Sequence, residues 1–140
     1  MSFSYFISPF VGYLAAGSLK FAVNSLKTKR MAIERIGLGG FPSTHNTITS
    51  TTFFTIAFSE GFLSSIAAVA LMVSIVIAID SIDLRRKIQD HAIIINKELE
   101  KRNSKVKPLR ESLGHSPGEV LFSWIFGGVL GFLIITVLGS

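Results

Sequence analysis

The stretch Phe62–Ile79, FLSSIAAVALMVSIVIAI, carries no charged residue in 18 positions. A buried strand is far shorter, and a helix of this length comes close to the ~20 residues needed to cross a bilayer core. Three further apolar segments flank it. One runs from about Tyr5 to Leu26, interrupted by Pro9 and carrying Lys20 near its end. One runs from about His45 to Phe58 and is short and rich in Thr, and the last runs from about Val120 to Leu138. The chain has 140 residues, 49% of them hydrophobic, and a mean hydropathy of +0.53. A single soluble core of this size cannot hide so much apolar surface, so lipid is the expected solvent for several segments. The expected fold is an all-α integral membrane bundle. It has about four transmembrane helices plus one amphipathic interfacial helix, in one domain over residues 1–140.

The interfacial helix is read from Leu84, Ile88, Ala92, Ile95 and Leu99, which recur at steps of three and four with Arg, Lys and Glu opposite. The short Thr-rich segment is expected inside the bundle, with its hydroxyls turned to neighbouring helices. Gly127, Gly128 and Gly131 in the last segment permit close helix approach. The opening residues MSFSYFISPF lack the basic start of a signal peptide and read as part of a retained helix.

Charge is concentrated. Of the 14 Lys and Arg residues, all but Lys20 lie in Lys27–Arg35 and Arg85–Arg110. With four crossings, these two loops fall on the same side of the membrane. The positive-inside rule puts that side in the cytoplasm, in a cell inner membrane. No basic and aromatic nucleic-acid module is present, so a nucleic-acid partner is not expected. The chain has no cysteine, which removes disulfides, thiolate chemistry and cysteine-based zinc sites. No cofactor is called for, and a homodimer that completes the bundle stays open.

Two histidines stand in these same-side loops beside helix starts. Gly39-Gly40-Phe41-Pro42-Ser43-Thr44-His45 combines glycines that let backbone N–H groups approach an anion with a cap residue, Ser43 or Thr44. His45 there can pass a proton to whatever the anion is attached to. Equally, the run is a Gly-Pro turn with an incidental histidine. His115-Ser116-Pro117-Gly118-Glu119 contains a capping box, with Ser116 at N-cap, Pro117 at N1 and Glu119 at N3. Glu119 can also hold one ring nitrogen of His115 and leave the other as a nucleophile. Asp80, at the end of an apolar run, is either a functional acid or a solvated helix end paired with Arg85 or Arg86. Asp83 and His91 read as structural, and Lys20 either snorkels or reaches an anion at the same face.

These residues resemble the type-2 phosphatidic acid phosphatases and haloperoxidases. Pro42-Ser43-Thr44-His45 is similar to the second motif of that superfamily, and His115 through Val120 to its third, with Glu119 where Asp is usual. The closer resemblance is to the superfamily's divergent branch, through GGFPSTH at 39–45, AIDSIDLRR at 78–86 and LRESLGHSPGEV at 109–120. It covers the chain from about Lys20 to Gly131. The resemblance implies a phosphatase acting on a phosphatidyl or polyprenyl phosphate or pyrophosphate in the membrane. His115 would form a phosphohistidine, Glu119 would orient it, and His45 would protonate the leaving group. Gly39, Gly40, Ser43, Thr44, Lys20, Arg85, Arg86 and Arg110 would hold phosphoryl oxygens, with Asp80 beside them. The Ser-Arg pair before the third motif is absent, since Pro108 and Leu109 stand there. Arg110, Arg85 or Arg86 would replace its charge. For the first motif, Lys20, Lys27, Lys29, Arg30 and Arg35 are all candidates. Two other readings remain: a metal-dependent hydrolase on His45, His115, Glu119 and Asp80, and a non-enzymatic protein that binds a phospholipid head group or a partner enzyme.

Overall fold

The computed structural model describes residues 3–28, 41–103 and 105–139. It consists of five helices: α1 (Phe3–Thr28), α2 (Thr44–Glu60), α3 (Ser65–Ile82), α4 (Leu84–Lys101) and α5 (Pro117–Leu138). There is no strand among the described residues. Three stretches, Phe3–Leu26, Ser65–Lys101 and Pro117–Leu138, are long and apolar enough to cross a membrane. The fold is an integral membrane helical bundle. Its large apolar side chains, among them Phe6, Leu14, Ile66, Val76, Leu121 and Val137, point outward. That inverts a soluble protein and is what lipid as solvent requires.

α2 is the centre, packed against α1, α3 and α5. Its buried residues are mostly polar: Asn46, Thr47, Ser50, Thr51 and Thr55. Each hydroxyl is satisfied within the protein. Thr47, Thr51 and Thr55 donate to the carbonyls four residues earlier, at 2.7–3.0 Å. Ser50 lies between the carbonyls of Asn46 (2.6 Å) and Ser123 on α5 (3.1 Å). At 17 residues, α2 spans about 26 Å, close to the ~30 Å hydrocarbon thickness. Its polarity keeps it below the hydropathy of a free-standing span, and its neighbours shield it.

Small residues make this packing fit. A Cβ on Gly127 would meet the Ser50 side chain and the Thr51 nitrogen. One on Gly131 would come 2.8 Å from the Thr55 nitrogen and 2.9 Å from Phe54 Cβ. Gly128 meets only ordinary contact, at 3.5 Å from the Phe54 ring. The seam therefore uses Gly127 and Gly131, four residues apart.

Pro9 does not interrupt α1, which is continuous from Phe3 to Thr28. A helical proline strips the hydrogen bond from the carbonyl four residues before it. Here that carbonyl belongs to Tyr5, and the Ser8 hydroxyl donates to it at 2.9 Å.

α1, α2, α3 and α5 alternate in direction, and two ends emerge. At one end Tyr5 bonds Glu60 at 2.7 Å, and Phe53, Phe54, Phe58, Phe62, Trp124 and Phe132 form an aromatic cluster. At the other end meet the last turns of α1 and α3 and the first turns of α2 and α5. α4 follows α3 across Asp83 and packs among the helices on α3. It is amphipathic as expected. Ala92 is buried, whereas Leu84, Ile88 and Ile95 of the apolar face remain exposed.

Candidate active site at one end of the bundle

The second end is built around Asn46. Its side-chain amide donates to Ser43 Oγ (2.9 Å) and to Ser81 Oγ on α3 (2.8 Å). The Ser81 carbonyl accepts the backbone N–H of His115 (3.1 Å). The Ser43 N–H donates to Ser123 Oγ on α5 (2.9 Å). Asn46, Ser43, Ser81 and Ser123 are all fully buried. This network ties the start of α2, the end of α3 and the segment before α5 into one unit. Nothing in the local pattern at Asn46 distinguished it from another polar residue of a Thr-rich helix.

The segment before α5 is also fastened to α4. Asn96 accepts from the Leu109 N–H (2.7 Å) and donates to the Leu109 carbonyl (2.8 Å) and to Glu111 (2.8 Å). Gln89 accepts the N–H groups of Leu113 and Gly114, each at 3.2 Å. Gly114 lies so close to Arg86 that a Cβ there would collide with it. Gln89 and Asn96 sit seven residues apart on the polar side of α4, so by sequence they pass for solvated residues. Their role needs the returning chain.

A cavity of about 750 Å³ opens at this end. Its polar wall comprises Ser18, Lys20, Thr44, His45, Arg85, Arg110 and His115. Its apolar wall comprises Tyr13, Leu14, Phe21, Ile48 and Leu113. Both candidate histidines and three cations thus share one space, although they come from four separate segments. Lys20 is almost wholly buried, at 4% exposure, and donates to Thr44 Oγ1 at 3.3 Å. His45 is exposed, and its electrostatic neighbours are Arg85, Lys20 and Asp80. Arg85 is held by the Asp80 carboxylate.

His115 is buried, at 6% exposure. Its Nδ1 lies 3.5 Å from Glu119 Oε2, too long for a good hydrogen bond, and it has no closer partner. The same Glu119 oxygen accepts the Ser116 N–H at 2.8 Å, and Ser116 Oγ accepts the Glu119 N–H, which completes the capping box. The two readings of Glu119 coexist on one oxygen. Burial pushes the His115 imidazole below its ordinary value of 6.5. The Glu119 carboxylate pulls it back up in part, and the Lys20 and Arg85 cations add to the depression. The net effect favours the neutral ring.

Not every expected residue reaches the cavity. Ser43 begins α2, but its hydroxyl makes no cap bond and faces Asn46 in the interior. Arg86 packs over Gly114 and is absent from the cavity wall. Asp80 and Glu119 stand behind Arg85 and His115 without lining the space. Asp83 pairs with Lys87 on the surface, and His91 is exposed. Gly39, Gly40, Lys29, Arg30 and Arg35 lie outside the described residues, as does the side chain of Lys27. Among the described residues, no three of His, Asp and Glu come together as a metal-binding group, so the fourfold ligand set of His45, His115, Glu119 and Asp80 does not assemble.

The helical membrane bundle thus gathers two histidines and three cations at one end, with Lys20 the buried one among them. The chain belongs to the Divergent PAP2 family, whose model matches residues 1–134. It is similar to the uncharacterized membrane protein YuiD of Bacillus subtilis (strain 168), with 31% identity covering 71% of this chain and 70% of that protein. No solved structure matches it.

Proposed function

We propose that this protein is a lipid phosphate phosphatase. It would cleave a phosphomonoester or pyrophosphate from a phosphatidyl or polyprenyl lipid through a phosphohistidine. The observation that carries the reading is the shared cavity, where His45 and His115 meet Lys20, Arg85 and Arg110. Phosphoryl transfer needs positioning and neutralised charge more than elaborate bond chemistry, and three cations beside two histidines supply both.

In the proposed first step, His115 attacks phosphorus. Its Nδ1 faces Glu119, which leaves Nε2 to form the N–P bond. The P–O bond to the lipid breaks, and His45 gives its proton to the departing oxygen. In the second step, water attacks the phosphohistidine and His45 takes a proton from it. The N–P bond breaks, orthophosphate leaves and His115 is restored. Lys20, Thr44, Arg85 and Arg110 hold the phosphoryl oxygens, and Asp80 fixes Arg85. Glu119 keeps the His115 ring oriented and stabilises the charge that the ring gains on attack. One such domain covers residues 1–140, and its site lies on the cytoplasmic face of a cell inner membrane, as the positive loops suggest.

The test is phosphate release from lipid phosphates by the purified protein, beside His115→Ala and His45→Ala. The expected result is turnover by the wild type and a loss of about 10²-fold or more in each variant, the range for removing a general acid. Equal release by all three would remove the proposed roles. Phospholipid binding by all three with no release by the wild type would instead identify a head-group-binding protein.

A further inference from the structure

The cavity is larger than a phosphate needs. Its volume equals about 25 waters at ~30 Å³ each, and it falls in the range of sites that enclose drug-sized organic ligands. The surplus is not shared evenly. Lys20 marks the charged end, and α1 supplies Tyr13, Leu14, Gly17, Ser18 and Phe21 to the rest of the wall, of which Ser18 and the Tyr13 hydroxyl alone are polar. Tyr13, Gly17 and Phe21 are spaced four apart, so they stack on one face of α1. From Lys20 back to Tyr13 is about 10 Å along the helix axis, which sets the depth of the apolar end. Tyr13 and Leu14 are 57% and 65% exposed on a helix that is long and apolar enough to span the membrane, so this wall is continuous with the lipid-facing surface.

Gly17 sits at the middle of that face. A Cβ built on it meets nothing within 4 Å. This differs from Gly12 on the same helix, where a Cβ would press on Thr51 Oγ1 at 3.0 Å. Gly12 is small so that helices can touch. Gly17 has no such neighbour, and its missing side chain leaves open space in the cavity.

We infer that the face Tyr13-Gly17-Phe21, with Ile48 opposite, is a subsite for the linear hydrocarbon chain of the phosphate ester, and that Gly17 sets whether the chain fits. This rests on the phosphate-site reading above and adds the chain's path to it. The chain runs along α1 from the cationic end toward the lipid, and a side chain at position 17 would stand in its way.

The test measures binding of ethyl phosphate and hexyl phosphate to the full chain in nanodiscs, for the wild type, Gly17→Ala and Gly17→Leu. Each buried methylene favours binding several-fold, so the four extra methylenes should give the wild type at least about tenfold preference for hexyl phosphate. Gly17→Leu should collapse that ratio to below about threefold, and Gly17→Ala should fall between. The alanine variant decides the matter if the leucine variant does not fold. Equal binding of the two esters by the wild type, or an unchanged ratio in both variants, overturns the chain subsite and leaves the phosphate reading standing. Binding of neither ester overturns both.

Discussion

Replacing Lys20 with methionine is expected to make the protein more stable and less able to act. Lys20 is 4% exposed in a membrane-crossing helix, and it donates a long hydrogen bond, 3.3 Å, to the neutral hydroxyl of Thr44. It makes no salt bridge among the described residues, and the repulsion from Arg110 is offset only in part by the more weakly acting Glu119 carboxylate. A lysine at the middle of a membrane helix costs about 2.5–3.5 kcal/mol on insertion scales. Lys20 lies two turns from the end of α1, where the cost is smaller, so Lys20→Met should gain about 1–2 kcal/mol. The opposite ledger concerns the anion. A phosphoryl charge about 4 Å from the ammonium, at an effective dielectric near 20, is worth about 4 kcal/mol, or roughly 10³ in transition-state stabilisation. Unfolding of the detergent-solubilised protein should therefore show a higher midpoint for Lys20→Met. Added orthophosphate should raise the wild-type midpoint by mass action and leave the variant unmoved. Phosphate release from a lipid phosphate should fall by about three orders of magnitude. A variant that is less stable, still protected by orthophosphate and active within threefold would show that Lys20 serves the fold, and the argument from its burial would be wrong.

Four further outcomes follow from particular contacts. The His115 ring must be neutral to attack, and its burial holds the folded value below 6.5, so activity should persist until pH falls through that lowered value. Glu119→Gln keeps an acceptor for the Ser116 N–H but removes the main influence raising His115, so the acid limb of kcat/KM should move to lower pH; an unmoved limb would show that the carboxylate does not act on the ring. The same linkage makes the stability conferred by neutral His115 complete above pH 6.5 and lost as pH falls through the folded value, which denaturation between pH 5 and 7 would measure. Gly127→Ala should cost about 1–3 kcal/mol because its methyl would strike Ser50 and Thr51, whereas Gly128→Ala should be neutral or slightly stabilising; similar unfolding curves for both would refute the glycine seam. Asn96→Ala removes exposed hydrogen bonds, so it should cost at most about 1 kcal/mol, yet it should raise KM and speed exchange of the Leu109 amide if α4 holds the Arg110–His115 segment in place.

What was legible in the chain divides along the range of the interactions. Helix identity was legible because it is local. The charge-free run Phe62–Ile79 marks most of α3, a 3–4 step marks Leu84–Lys101, and Ser116-Pro117-Gly118-Glu119 announces the start of α5 within four residues. Pro9 was misleading for a local reason of the same kind. Its effect on α1 is decided by whether something takes the Tyr5 carbonyl, and Ser8 does so from the next position. The candidate site was legible only as a set of parts. His45 and His115 could be assigned to one face by counting crossings, but a cavity that joins α1, α2, α4 and the segment before α5 depends on contacts 24 to 80 residues apart in sequence. Ser43 shows the cost most clearly. In a Pro-Ser-Thr-His run its hydroxyl reads as an anion donor, and the neighbouring Thr44 reads the same way. The structure separates them by side: Ser43 turns inward to Asn46 and Thr44 toward Lys20. The arginines divide likewise, since Arg85 joins the cavity while Arg86, one residue on and about 100° around the helix, packs over Gly114. Adjacent residues of the same type therefore serve opposite ends of the argument. In each pair the member that does not line the cavity braces its surroundings, so the Ser43–Asn46–Ser81 network and the Arg86–Gly114 contact help give Thr44, His115 and Arg85 a common space.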